Sequence, residues 1–301
     1  MHRFAPLVFA TLTIAQSPAP PTPPPQPPAD LAALAARVET AHRPKGPVPP
    51  ITALRAVLEL HLVDRSADQR GQVDLALQFL QWQRPDGKKA LPLLHYRVLD
   101  AGTTIVRGFD KAGPWQLGRE RPEDLTGADA TQDLAAFERH QNLVRQLLRF
   151  LSPGDVLLAL QRPGPIGEAV LVRSRTESIP CFTVTGELPA FPLLQQGGED
   201  APVQLQIWIG KADGRLQAAD ARPLVDGKPD PVRGERTLLG NYELRDGLLV
   251  PFELSQRGWQ PDGVETLRSI VRIKDLALRP ELRAEDFERM KVAQEAKAKG
   301  R

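Results

Sequence analysis

From Leu54 onward the apolar residues keep a two-residue period. Leu54, Ala56, Leu58, Leu60 and Leu62 alternate with Arg55, Val57, Glu59, His61 and Val63. Val73, Leu75, Leu77 and Phe79 then alternate with Asp74, Ala76, Gln78 and Leu80. Leu94, Tyr96 and Val98 face one way in the next run, and 103–109 makes another. Turn signals separate these runs at Arg70-Gly71, Asp86-Gly87 and Ala101-Gly102. Period-two runs bounded by Gly and Asp predict an antiparallel meander. Two helices interrupt the pattern. Asp30 can cap a helix over Leu31, Leu34, Ala35 and Val38 to about His42. Leu134, Phe137, Gln141, Val144, Leu147, Leu148 and Leu151 keep three- and four-residue spacing with polar residues on the other side. Asp133 is a candidate cap for this second helix, and Pro153-Gly154 stops it. A short helix is expected over 155–160.

Strands resume over 168–175, 181–187, 203–209, 216–222, 236–244, 249–256 and 264–274, with Asp-Gly turns at 213–214, 226–227, 246–247 and 262–263. About eleven strands with few helices, no βαβ alternation and no Gly-rich phosphate loop disfavour a doubly wound fold. Some strands are apolar on both faces: Leu80 and Trp82 oppose Leu77 and Phe79, and Trp208 opposes Ile207 and Ile209. Both faces of the sheet must therefore be covered in places. The expected class is α+β: a strongly curved antiparallel sheet, an unclosed half-barrel, with helices covering its concave face.

The N-terminal 29 residues follow other rules. Met1-His2-Arg3 is a short basic start, Phe4–Ala15 is mostly apolar, and Thr13 and Ala15 place small residues at −3 and −1 of a cleavage site. This predicts a secretory signal over 1–15, too short for the roughly 20 apolar residues of a membrane span. Residues 16–29 are a Pro-rich linker, which favours extended polyproline II. The folded domain is expected over 30–287. The charged tail 288–301, rich in Lys and Ala, is expected as a solvated helix or frayed end.

Composition narrows the function. With 39 Lys and Arg against 37 Asp and Glu, the net charge of +2 lacks the basic excess of a nucleic-acid binder. The single cysteine, Cys181, excludes an intrachain disulfide or multi-cysteine metal site. The chain contains no HExxH, GxSxG or paired CxxC motif. His42, His61, His95 and His140 show no metal-ligand spacing. His95 beside Tyr96 has no evident catalytic partner, and Cys181 between Ile179-Pro180 and Phe182 reads as a small buried hydrophobe. Glu123, Asp124, Asp129 and Asp133 with Gly127 lack calcium-loop spacing. Trp82, Trp115, Trp208 and Trp259 are spread through the strands and read as packing residues. No cofactor, metal or catalytic residue is expected.

Three stretches resemble the LolA/LolB-like superfamily of bacterial envelope proteins. The first is the export signal, short helix and long paired strands Leu54–Val63 and Val73–Gln83. The second is Gln206-Ile-Trp-Ile-Gly-Lys-Ala-Asp-Gly-Arg-Leu216. The third is Leu249-Val-Pro-Phe-Glu-Leu254, the Asp262-Gly263 turn, Ile270–Leu278 and Phe287. The resemblance implies a periplasmic half-barrel whose apolar cavity holds acyl chains of lipids or lipoproteins, as a monomeric, non-catalytic carrier. Helix-on-sheet patterning nominates Leu77, Phe79, Val144, Leu147, Leu148, Phe252 and Leu254 as its lining. The same side chains can instead pack on one another as a plain core. The alternative function is an envelope protein-interaction or sensing module on the same fold.

Overall fold

In the computed structural model the described residues are 28–63, 70–82, 91–100, 103–118, 121–125, 131–194, 200–259 and 265–298. The export signal, nearly all of the Pro-rich linker, Asp129 and the turns at 86–87, 101–102 and 262–263 lie outside them. Helix α1 spans Leu31–His42, and strands β1 to β6 span Ala53–Val63, Arg70–Trp82, Leu91–Asp100, Thr103–Asp110, Gly113–Leu117 and Pro122–Asp124. Helices α2 (Thr131–Phe150) and α3 (Pro153–Leu158) follow. Strands β7 to β10 span Gly167–Val172, Ser178–Phe191, Ala201–Gly210 and Leu216–Val225, with β11 at Lys228–Pro229. Strands β12 (Glu235–Arg245), β13 (Leu248–Trp259) and β14 (Glu265–Leu278) complete the sheet. A 3-10 turn, Ala284–Phe287, and helix α4, Arg289–Ala298, close the chain.

The strands form one 14-stranded sheet in the order β6-β5-β4-β3-β2-β1-β14-β13-β12-β10-β9-β8-β7, with β11 paired to β10 off this path. Every pairing is antiparallel. β6 and β7 are its two ends, so the sheet is unclosed. The expected class holds, and the strand count rises from about eleven. The additional strands are β5, β6 and β11, of five, three and two residues. Runs that short carry too few alternations to be read as strands. β2 already begins at Arg70, so Arg70-Gly71 opens that strand instead of forming a turn.

Helices α1, α2 and α3 cover one face. Leu34 and Val38 of α1, Phe137, Val144 and Leu147 of α2, and Val156 and Leu157 of α3 share one core with Leu54, Leu58, Leu75, Leu94, Leu205, Leu239 and Val250 of the sheet. Asp30 caps α1 by accepting from Ala33 N–H at 2.8 Å. α2 begins at Thr131, which puts Asp133 inside its first turn. α3 begins at Pro153, two residues ahead of the expected start.

The C-terminal segment covers part of the other face. Phe287 and Ala284 bury Leu93 beside Leu80 and Trp82. Val292 and Ala296 of α4 bury Val106 and Trp115. Gly108 makes room for Trp115, since a Cβ there would meet the indole at 2.6 Å. Arg289 fixes the helix by pairing with both oxygens of Asp110, at 2.8 and 2.9 Å, and with Asp124. The expected helix near the C-terminus therefore forms, but one face of it is docked, not solvated. This cover answers the two-sided apolar pattern of β2.

His42 pins α1 to the sheet. Its Nε2 accepts from Leu216 N–H at 3.1 Å, and its Nδ1 lies 3.2 Å from the Leu249 carbonyl as donor. This arrangement needs the neutral ring, and burial holds its pKa down, from 6.5 to about 4. The folded value lies below the unfolded one. The stabilisation is therefore fully present above about pH 6.5 and is lost as pH falls through about 4, to an extent of about 3 kcal/mol. A falling Tm between pH 6.5 and 4 is the expected result of a calorimetric series. A flat Tm over that range contradicts it.

Candidate functional site

The helical face of the sheet is not filled throughout. Beside the middle of α2 lies a half-open cavity of about 570 Å³. Its apolar lining is Leu60 of β1, Val73 of β2, Val98 of β3, Ile105 of β4, Leu143 of α2, Leu194 and Val271 of β14. β12 contributes Glu235 to the same wall. β4 and β12 stand six strand steps apart in the sheet. A flat sheet would separate them by about 29 Å, at roughly 4.8 Å per step. They can share one cavity of this size only because the sheet curls around α2, which makes the helical face concave.

Alternation explains which strand residues reach the cavity. Val73 shares a face with Leu75, Leu77 and Phe79 on β2, and Leu60 shares one with Leu54 and Leu58 on β1. On α2, Leu143 lies beside Val144 and Leu147, which are buried against the sheet. The wall at Leu194 is held by polar groups. Asn142 Nδ2 donates to the Leu193 carbonyl at 2.9 Å, and Gln146 Nε2 donates to the Pro192 carbonyl at 2.7 Å. Glu235 accepts from Leu194 N–H at 3.0 Å and from Gln146 Nε2. Asn142 and Gln146 are fully buried, so the polar residues of α2 do not all face solvent as its periodicity suggests. They satisfy backbone groups that the exit of β8 would otherwise bury unpaired.

The remaining lining is polar and mostly basic: Arg107, Arg139, His140, Gln256, Arg257, Arg268 and Ser269. Arg257 is committed elsewhere, to Glu265 at 3.6 Å and to the Arg173 carbonyl at 3.1 Å. Arg268 reaches the cavity through a β-bulge. Gln256 pairs with Ser269 and Arg257 with Leu267, which leaves Arg268 as the extra residue of β14. Its guanidinium lies over Gly258, where a Cβ would meet Nε at 2.0 Å. A bulge that re-aims a side chain over a glycine is a common site-building device. Ser269 Oγ donates to Gln256 Oε1 at 2.5 Å. Gln256 is buried, and its Nε2 has no hydrogen-bond partner among the described residues. Nδ1 of His140 is likewise buried without one. Burial, then the charges of Arg107 and Arg139, lower the His140 pKa to about 4, so the ring is neutral near pH 7.

Of the residues nominated from sequence, Phe79 and Leu148 line a second cavity of about 370 Å³, together with Arg145, Asp155 and Asp200. Leu77, Val144, Leu147, Phe252 and Leu254 pack in the main core and line neither cavity. Leu60, Val73, Val98, Leu143 and Val271 were not nominated. Their signal was the shared face of each strand; the position along the strand was missing.

The side chains weighed for chemistry take structural places. Cys181 is buried, and desolvation pushes its thiol up to about 11, away from the reactive thiolate. The His95 ring packs against Phe287 at 5.4 Å, on the face that carries the C-terminal turn. His61 pairs with Glu59. Among the described residues no group of three or more His, Cys, Asp and Glu side chains could hold a metal ion.

The sequence matches no protein-family model and no curated protein. The structure is similar to a DUF1329 family protein from Desulfovibrio piger, at 13% identity and a TM-score of 0.45, over 86% of this chain and 96% of that one. It is similar to a protein described as an outer membrane lipoprotein-sorting domain from Vibrio parahaemolyticus, at 12% identity and 0.40, over 85% and 95%. It is also similar to a LolA superfamily protein from Nitrosomonas europaea, at 12% identity and 0.35, over 85% and 96%. At TM-scores below 0.5 these likenesses assign no residue a role, and the functional reading rests on the cavity.

Proposed function

We propose that the chain is an exported, periplasmic, monomeric carrier that holds an acyl chain of a lipid or lipoprotein in its concave cavity and performs no chemistry. The observation that carries this reading is the half-open space of about 570 Å³ floored by leucine, valine and isoleucine. Ligand pockets commonly fall between about 300 and 1,000 Å³. Each methylene buried there contributes about 0.8 kcal/mol, so a chain of ten yields about 8 kcal/mol before the costs of association. In this reading residues 1–15 direct export, 16–29 are a spacer, 30–287 are the carrier domain and 288–301 are its charged C-terminal segment. Among the described residues no helix is long and apolar enough to cross a membrane.

Leu143→Trp tests the reading, because it fills the cavity from the helix side. The expected result is at least about a tenfold loss of affinity for a fluorescent acyl probe with an unchanged circular dichroism spectrum, since about 1.4 kcal/mol of lost contact suffices. Undiminished probe binding by a folded variant contradicts it.

One observation favours a second reading, a protein-interaction or sensing module. Among the described residues β7 is an end strand, with Val170 and Val172 58% and 62% exposed. An open strand edge with apolar neighbours can accept an added strand from a partner. A stoichiometric protein recovered by crosslinking, with no lipid, supports that reading over carriage.

A further inference from the structure

The two ends of the sheet are unlike. At β6, Gly118 N–H donates to the Arg121 carbonyl and Leu125 N–H to the Pro114 carbonyl, each at 3.0 Å. Antiparallel pairing turns successive residues alternately toward the neighbouring strand and away from it. Pro122 and Asp124 are therefore the residues of β6 that face outward. Pro122 has no N–H to offer, and the Asp124 carboxylate is held by Arg289. Three residues with a proline and an engaged carboxylate make a blunted edge.

β7 carries no such device. Just past its end, Arg173 N–H donates to the Glu177 carbonyl at 3.0 Å. On the other side of β8, Lys211 N–H donates to the Pro180 carbonyl at 2.9 Å. Both bonds fix the same phase, in which Gly167, Ala169 and Leu171 turn their backbone groups to Thr183, Cys181 and Ile179 of β8. Glu168, Val170 and Val172 then turn theirs to the open side. The side chains of these three share one face, since Leu171 packs with Cys181, Trp208 and Leu238 on the other. That face is bare around Val170 and Val172, and Pro180, the cross-strand neighbour of Val170, is exposed as well. Outward donors and acceptors at every second residue match the spacing of another extended chain. The charges nearby are largely balanced: Glu168 pairs with Lys211, Glu177 with Arg173 and Glu187 with Arg162. Arg175, exposed beyond the C-terminal end of β7, is left as the unbalanced charge among the described residues.

The geometry points to β7 as a docking edge for an extended segment of a partner protein, added antiparallel through the backbone groups of Glu168, Val170 and Val172. The partner residues opposite Val170 and Val172 are apolar and β-branched, which suits a pleated, half-open surface. A carboxylate at the start of the segment faces the Arg175 end. This deepens the interaction reading above and does not depend on acyl binding.

The test follows the backbone amide signals of the full chain by NMR as a synthetic peptide is added. The probe is acetyl-Glu-Val-Thr-Val-Thr-Thr-amide, whose valines fall opposite Val172 and Val170. The expected result is saturable shifts centred on Glu168, Val170 and Val172. Methylating the two valine nitrogens of the peptide removes donors that face β7 and weakens binding at least about tenfold. Val170→Pro does the same from the protein side and leaves the ladder to β8 whole, because the Val170 N–H is not part of it. Lysine in place of the peptide's glutamate also binds more weakly. No shift at these amides with millimolar peptide overturns the docking edge. Undiminished binding of the methylated peptide overturns it too, by assigning the contact to side chains alone. Equal binding of the lysine peptide overturns the role given to Arg175. Shifts at the same amides that grow with protein concentration, without peptide, assign the edge to a second copy of this chain and overturn the partner. Uptake of a fluorescent acyl probe is read separately, and its failure would remove the carrier reading and leave this one standing.

Discussion

Phe137→Ala is expected to destabilise the protein by about 3–5 kcal/mol, the usual cost of deleting a fully buried aromatic ring. Phe137 is 1% exposed and is the main bolt between α2 and the curled sheet. Its ring is stacked on Tyr96 at 6.0 Å and on Phe109 at 6.3 Å, so one truncation removes two aromatic contacts as well as buried area. Tyr96 belongs to β3 and Phe109 to β4, the same strands that supply Val98 and Ile105 to the cavity. The variant should therefore also release a bound acyl probe faster. Urea unfolding at constant m checks the first effect, and stopped-flow dilution of the probe checks the second. A loss below about 1 kcal/mol would mean that the helix is held mainly by its polar ties at Asn142 and Gln146.

Arg236→Ala should cost a similar amount, about 3–5 kcal/mol, for a different reason. Asp220 is 6% exposed, and Arg236 meets it with two bonds of 2.5 Å. Trp208 Nε1 adds a third at 3.1 Å, and Arg236 also reaches Glu265. The guanidinium lies 5.4 Å from the Trp208 ring and 5.7 Å from the Trp259 ring. Removing it leaves a buried carboxylate with one neutral donor. Asp220→Ala added to Arg236→Ala should recover part of the loss, because no unpaired charge then remains. Equal instability of the single and double variants would show that the rings, not the ion pair, carry the energy.

Much of this architecture is legible in the sequence, and the illegible parts have physical causes. The alternation of Leu54–Leu60 and Val73–Phe79 marks a buried face, and those residues lie in the core. The Asp30 cap and the apolar stripe of α2 locate two helices that line the concave side. The opposed Leu80 and Trp82 announce a cover on the second face, but only tertiary structure shows that Phe287 supplies it. Trp208 presents the same problem on β9: its cover is an arginine, and periodicity ranks arginine as exposed. Asn142 and Gln146 mislead for the opposite reason, since their buried amides serve carbonyls of a distant loop.

The site was harder to read than the fold. Leu77 and Phe79 share the face of Val73, yet they lie four and six residues further along β2, about 13 and 20 Å away at 3.3 Å per residue. One-dimensional alternation selects the face but does not say where the helices stop filling it. Arg268 points into the cavity because of a bulge, which is a property of the pairing between β13 and β14 and leaves no mark in either strand alone.

Native mass spectrometry of the full chain, purified gently from its own envelope extract, tests the central claim most directly. The mass is compared before and after denaturing lipid extraction. The account predicts one acyl-bearing species per chain, released on denaturation and replaced when a single-chain amphiphile is added back. A mass equal to the polypeptide alone, unchanged by added lipid, would contradict it.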